Sequence, residues 1–185
     1  FMSTLWNTYA FYVLYANIDN FNPAEHELDY DKLSIMDNLL LSKLNTMVGV
    51  VDNNLENYKI PEACKALQEF VDEMSNWYVR RGRERYWVQG LPQDKINAYM
   101  TLYTALVTIA KTAAPMIPFM AEDIYRNLVC SLDATAPESV HLCDYPEPAD
   151  CRDVALERQM ELTMQAVSLG RYLRTQHNLK VRQPL

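Results

Sequence analysis

The sequence predicts an all-α fold, a helical bundle of six helices, on three observations. Only 4 glycines occur among 185 residues, about a third of the usual ~7%, which excludes turn-rich β architectures and glycine-rich phosphate loops. Apolar residues recur at helical spacing: Ala63, Leu67, Phe70, Val71, Met74, Trp77 and Tyr78 follow one another at steps of 4, 3, 1, 3, 3 and 1, the stripe of a bundle helix. Prolines stand where helices open or stop, at Pro61, Pro115 and Pro118. A content of 49% hydrophobic and 22% charged residues suits a chain that buries roughly two-thirds of its unfolded surface without a staple. One domain is expected over residues 1–176, with 177–185 opening a following segment; both termini read as cuts in a longer chain.

Met2 to about Ile18 forms the first helix, rich in Tyr, Phe and Leu, with no lysine or arginine before Lys32. It is apolar nearly all round, which predicts burial or a covering partner. A loop follows at Asn20-Phe21-Asn22-Pro23. Ser34-x-x-Asp37 resembles a capping box and opens the second helix, which runs to about Tyr58. The third starts at Pro61 and runs to about Trp87, ahead of Gly90 and Pro92. The fourth spans about Asp94 to Ala113, and the fifth runs from Pro118 to about Leu132. Three prolines in 133–149 make an extended loop around Ser139-Val140-His141-Leu142. The sixth helix covers about Cys151 to Gln176.

Cys64, Cys130, Cys143 and Cys151 are separated by 66, 13 and 8 residues and form no C-x-x-C pair, so no zinc module is predicted. Cys64 is expected on the apolar stripe as a small hydrophobe, in a reduced, intracellular protein. No apolar run approaches the ~18–20 residues of a membrane span. Glu138-x-x-His141 has the spacing of di-metal bundle sites, but a single copy in a proline-flanked loop predicts no metal. Neither nucleophile nor phosphate-loop motifs occur, so no catalytic residue is expected in this chain.

The segment NWYVRRGRERYW, Asn76 to Trp87, carries Arg80, Arg81, Arg83 and Arg85 between Trp77, Tyr78, Tyr86 and Trp87. At 100° per residue, Arg81 and Arg85 continue the apolar stripe, while Arg80, Arg83 and Trp87 gather within about 60° on the adjoining face. Two readings compete. The arginines pair with the protein's own acids, such as Glu84 or Glu122, or they grip nucleic-acid phosphates beside an aromatic stacking platform. A second basic set, Arg171, Arg174, His177, Lys180 and Arg182, contains no acid; a helix C-terminus explains its first members but not Lys180 and Arg182. The net charge of −7 opposes general nucleic-acid binding, yet it is uneven: residues 1–31 hold five acids and no lysine or arginine, and 80–85 hold four arginines against one glutamate.

NWYVRRGRERYW, AYMTLYTALVTIAKTAAPMIPFMAEDIYRNL, SVHLCDYP and KVRQPL together resemble the anticodon-binding region of isoleucyl-tRNA synthetases. The run Ser75-Asn76-Trp77-Tyr78-Val79-Arg80 is closest to the subgroup shared by eukaryotes, archaea and some bacteria. DNLLLSKLN resembles the next family helix, which usually carries tryptophan and arginine where Leu39 and Lys43 stand. The resemblance implies a bundle that docks the anticodon stem-loop of an isoleucine tRNA, in a cytoplasmic, monomeric enzyme using ATP and Mg. The catalytic signatures H-I-G-H and K-M-S-K-S do not occur in this chain, so the catalytic domain of the same polypeptide is an expected partner. It also implies tRNA contacts by Arg80, Arg81, Arg83 and Arg85, stacking by Trp87, and a contact by Lys43. Arg174, Lys180 and Arg182 would approach the stem backbone, and Trp77 and Tyr78 belong to the core. A protein–protein module without an RNA ligand is the alternative.

Overall fold

The computed structural model describes residues 1–149 and 152–183, with no strand among them. Cys151, the expected start of the sixth helix, and the closing Pro184-Leu185 lie outside the described residues. The helices are α1 (Met2–Asp19), α2 (Ile35–Glu56), α3 (Ile60–Glu73), α4 (Arg80–Trp87), α5 (Gln93–Ala113), α6 (Pro118–Tyr125) and α7 (Val154–Gln176). A π-helical stretch, Met74–Val79, makes α3 and α4 one continuous helix, and a second, Arg126–Cys130, prolongs α6. Two compact units result, Phe1–Arg152 and Asp153–Leu185.

Within the first unit α5 is the hub, packing against α1, α2, α4 and α6. Its Ala98, Ala105, Ala110 and Ala113 let neighbours approach closely, while Tyr99, Leu102, Leu106 and Ile109 fill the core. Truncating such a leucine to alanine costs about 2–5 kcal/mol. The first helix turns one face inward, with Leu5, Tyr9, Tyr12 and Ala16 buried, and leaves Met2, Trp6, Leu14 and Ile18 exposed. Its uniform composition concealed that division.

Helix ends are set by local chemistry. Ser34 and Asp37 form the capping box at the start of α2, the Ser34 Oγ accepting from Asp37 N–H and the Asp37 carboxylate from Ser34 N–H. Three helices end on left-handed residues that are not glycine: Asn20 (φ 50), Tyr58 (φ 57) and Asn178 (φ 53). After each, the next amide reaches back to a carbonyl of the last turn, Phe21 to Ala16, Lys59 to Asn54 and Leu179 to Arg174, each 2.8 Å. The first return seats Phe21 in a stack with Tyr99, ring centroids 4.5 Å apart.

Lys95 is buried on α5. Its ammonium pairs with Asp19 at 2.6 Å and donates to the Val88 carbonyl at 2.8 Å, tying α1 and the residue after α4 to the start of α5. Cys64 departs from its expected place. It is exposed, because Ala63 takes the core position one residue earlier, and its Sγ lies 3.3 Å from Met116 Sδ. Cys130 and Cys143 are free and half-buried.

In the second unit, Asp153 caps α7 by accepting from Leu156 N–H. No residue of α7 is buried.

Candidate nucleic-acid interface

The arginine-rich segment is placed by the π-helical stretch before it. Bonding from i to i+5 inserts a residue relative to the α-helix and shifts the phase of all that follows. Met74, Tyr78, Val79 and Tyr86 are buried. Trp77, expected in the core, is instead half-buried and lies under Arg81, whose guanidinium carbon stands 4.9 Å from its ring centroid. Arg81 is correspondingly exposed rather than continuing the buried stripe.

Arg85 does point inward. Its side chain is 19% exposed and meets Asp37, whose side chain is fully buried. Nη1 and Nη2 donate to the two Asp37 oxygens at 2.8 Å each, while Nε and Nη2 donate to the Asp94 carboxylate at 2.9 and 2.8 Å. Tyr78 Oη also donates to Asp37, at 2.5 Å. Burial by itself pushes the Asp37 carboxyl up, yet the donors Arg85, Tyr78 and Ser34 hold it below its ordinary value. Burial raises the Tyr78 hydroxyl, with the neighbouring Tyr86 and the Asp37 charge adding to the shift. The own-carboxylate reading thus holds for Arg85, with Asp37 and Asp94 as partners rather than Glu84 or Glu122. Glu122 is engaged elsewhere, accepting from Ser139 Oγ and Val140 N–H at 2.9 Å each. Lys43 is likewise held within the fold, ion-paired with Glu73 of α3.

Arg80, Arg83 and Trp87 share the opposite face, which looks onto α1. Both arginines are exposed, and no ion pair to either occurs among the described residues. Trp87 is 58% exposed and donates its Nε1–H to Tyr15 Oη at 2.8 Å. The Arg83 guanidinium carbon stands 6.0 Å from the Phe11 ring centroid. Toward the start of α1 a cleft of about 360 Å³ opens, lined by Asn7, Thr8, Phe11, Ser75, Asn76, Val79, Arg80 and Arg83. Helical spacing grouped the three α4 residues; it could not supply Asn7, Phe11 and Tyr15, since α1 is apolar nearly all round and carries no charge along its length before Asp19.

Arg174 donates to the carbonyls of Lys180 and Gln183 at 2.8 Å each, which fastens the turn after α7. Lys180 and Arg182 are exposed in that turn. They belong to the second unit, as does Arg174. Among the described residues no group of three or more His, Cys, Asp or Glu side chains is disposed to hold a metal ion, and no helix is long and apolar enough to cross a membrane.

Residues 37–185 match the family described as the anticodon-binding domain of tRNA ligase. The whole chain aligns with isoleucine–tRNA ligase of Clostridium novyi (strain NT) at 56% identity and of Clostridium acetobutylicum at 52%, covering 18% of each. It aligns over its full length with isoleucine–tRNA ligase of Dehalococcoides mccartyi (strain 195) at 46% identity, again covering 18% of that protein. The chain therefore spans under a fifth of the length of the curated relatives it matches.

Proposed function

Because the chain belongs to the anticodon-binding domain family of tRNA ligases, we propose that it binds the anticodon stem-loop of an isoleucine tRNA as part of an isoleucine–tRNA ligase. On this reading the ATP- and Mg-dependent attachment of isoleucine is carried out by other sequence of a monomeric, cytoplasmic enzyme. The observation that carries the site is a local surplus of charge. In a chain of net charge −7, Arg80, Arg81 and Arg83 are exposed and free of carboxylate partners among the described residues. Unneutralised guanidinium groups beside an exposed indole suit phosphates and an unstacked base of a single-stranded loop.

Arg80 and Arg83 would hold phosphates, and Trp87 would offer its free face to a base. Its hydrogen bond to Tyr15 fixes the ring before the RNA arrives. Arg81, stacked on Trp77, would meet the backbone further along the same end. Arg85 and Lys43 have their charge satisfied by Asp37, Asp94 and Glu73, so on this reading they shape the site and leave the phosphates to the others. Arg174, Lys180 and Arg182 remain candidates for the stem backbone.

The test is a titration with the anticodon stem-loops of an isoleucine and a valine tRNA. Preferential binding of the first is expected, with affinity falling as salt rises. Replacing Arg80 and Arg83 together by alanine should lower affinity and flatten that salt dependence by about 1.4 in log–log slope, ~0.7 for each phosphate no longer neutralised. Saturable protein binding with no RNA binding would instead make this a protein–protein module.

A further inference from the structure

Resting on that reading, we propose that the cleft between α1 and the π-helical stretch is a pocket for a single unstacked nucleotide, with α1 supplying one wall of it. The floor is made by Thr8 and Val79, both buried, together with the half-buried Phe11. The rim is made by Asn7, Asn76, Arg80 and Arg83, all four exposed to solvent. Its volume of about 360 Å³ falls within the ~300–1,000 Å³ of clefts that take small ligands.

Three features give the pocket the chemistry of a base rather than of a bare phosphate. Asn76 spends its Nδ2–H on the Asp72 carbonyl at 2.9 Å, which leaves its Oδ1 as an acceptor. The Asn7 amide makes no hydrogen bond among the described residues, so it offers both a donor and an acceptor to a base edge. Arg83, backed by the Phe11 ring, presents a planar cation on which a base can stack. Arg80 then stands beside the cleft for the adjoining phosphate.

The cleft coincides with the widened turn that carries Ser75, Asn76 and Val79. Such widened turns are rare and recur at functional sites. Here the turn carries Asn76 to the rim and Val79 to the floor of the same opening.

The experiment measures affinity of the chain for the isoleucine anticodon stem-loop, intact and with one loop position at a time made abasic, against wild type, Asn7→Ala, Phe11→Leu and Trp87→Ala. Wild type should lose about 5- to 150-fold at the abasic position whose base occupies the cleft. Asn7→Ala and Phe11→Leu should weaken the intact loop but leave the loop abasic at that position unchanged. Asn7 is exposed and makes no internal hydrogen bond, so its variant keeps the wild-type melting temperature and reports binding alone. An abasic penalty that couples only to Trp87→Ala would overturn the pocket, as would full affinity in both α1 variants. Either result leaves the anticodon reading standing. Failure of wild type to bind any stem-loop would remove that reading and the pocket with it.

Discussion

The two faces of α4 carry the same side chain to opposite ends. On the face toward α2 and α5, Arg85 is enclosed by a fully buried Asp37 and by Asp94. On the face toward α1, Arg80 and Arg83 stand over an open cleft without a carboxylate. Arg83 and Arg85 are two residues apart, so neither composition nor propensity separates them. What separates them is where the acids are, and that places a buried ion pair and unpaired guanidinium groups on different sides of one helix.

Arg85→Ala gives the largest separation expected. It strands a buried carboxylate, and breaking such a pair costs about 3–5 kcal/mol. Urea unfolding should show that loss, while Arg83→Ala should stay within ~0.5 kcal/mol of wild type, as for other exposed positions. Similar losses in the two variants would erase the contrast.

Trp87→Ala probes the open face. Binding of the stem-loop should weaken by about 1–3 kcal/mol, the worth of one stacked base. The melting temperature should move little, since the ring is more than half exposed and its one hydrogen bond runs to Tyr15. A large fall in melting temperature with unchanged binding would return Trp87 to the core.

Acid gives the smallest and most local effect. Asp37 has a native pKa held below its ordinary value, so the unfolded chain takes up that proton first as pH falls. Its contribution is therefore complete above the ordinary carboxylate value, ~3.9, and is lost as pH drops through the lower native value. Asp37→Asn should flatten the stability–pH curve in that window below about 4, measured from urea midpoints at successive pH values. An unaltered slope would show that other carboxylates set the acid limit.

Much of the fold was open to a reader of the chain because its signals are local. The capping pair Ser34 and Asp37, the proline at the start of α6 and the stripe of α3 all act within one or two turns. Trp77 was misplaced because a π-helical stretch breaks the 100° step on which the projection depends, and no residue type announces it. The partners of Arg85 lie 48 and 9 positions away, and only folding reveals which acids arrive. The α1 side of the cleft was hidden for another reason: a helix apolar on every side gives no sign of which face meets which neighbour. The scarcity of glycine also has a structural counterpart, since asparagine and tyrosine take the left-handed positions glycine commonly fills.

The clamp on Arg85 fixes the rotation of α4 about its own axis. With that angle set, Arg80 and Arg83 hold their bearing toward α1 in the free protein, and on the proposed reading a bound loop would spend no association free energy on turning a helix. Loosening the clamp without unfolding the bundle, as Asp94→Asn would do, should slow capture of the loop more than it hastens release.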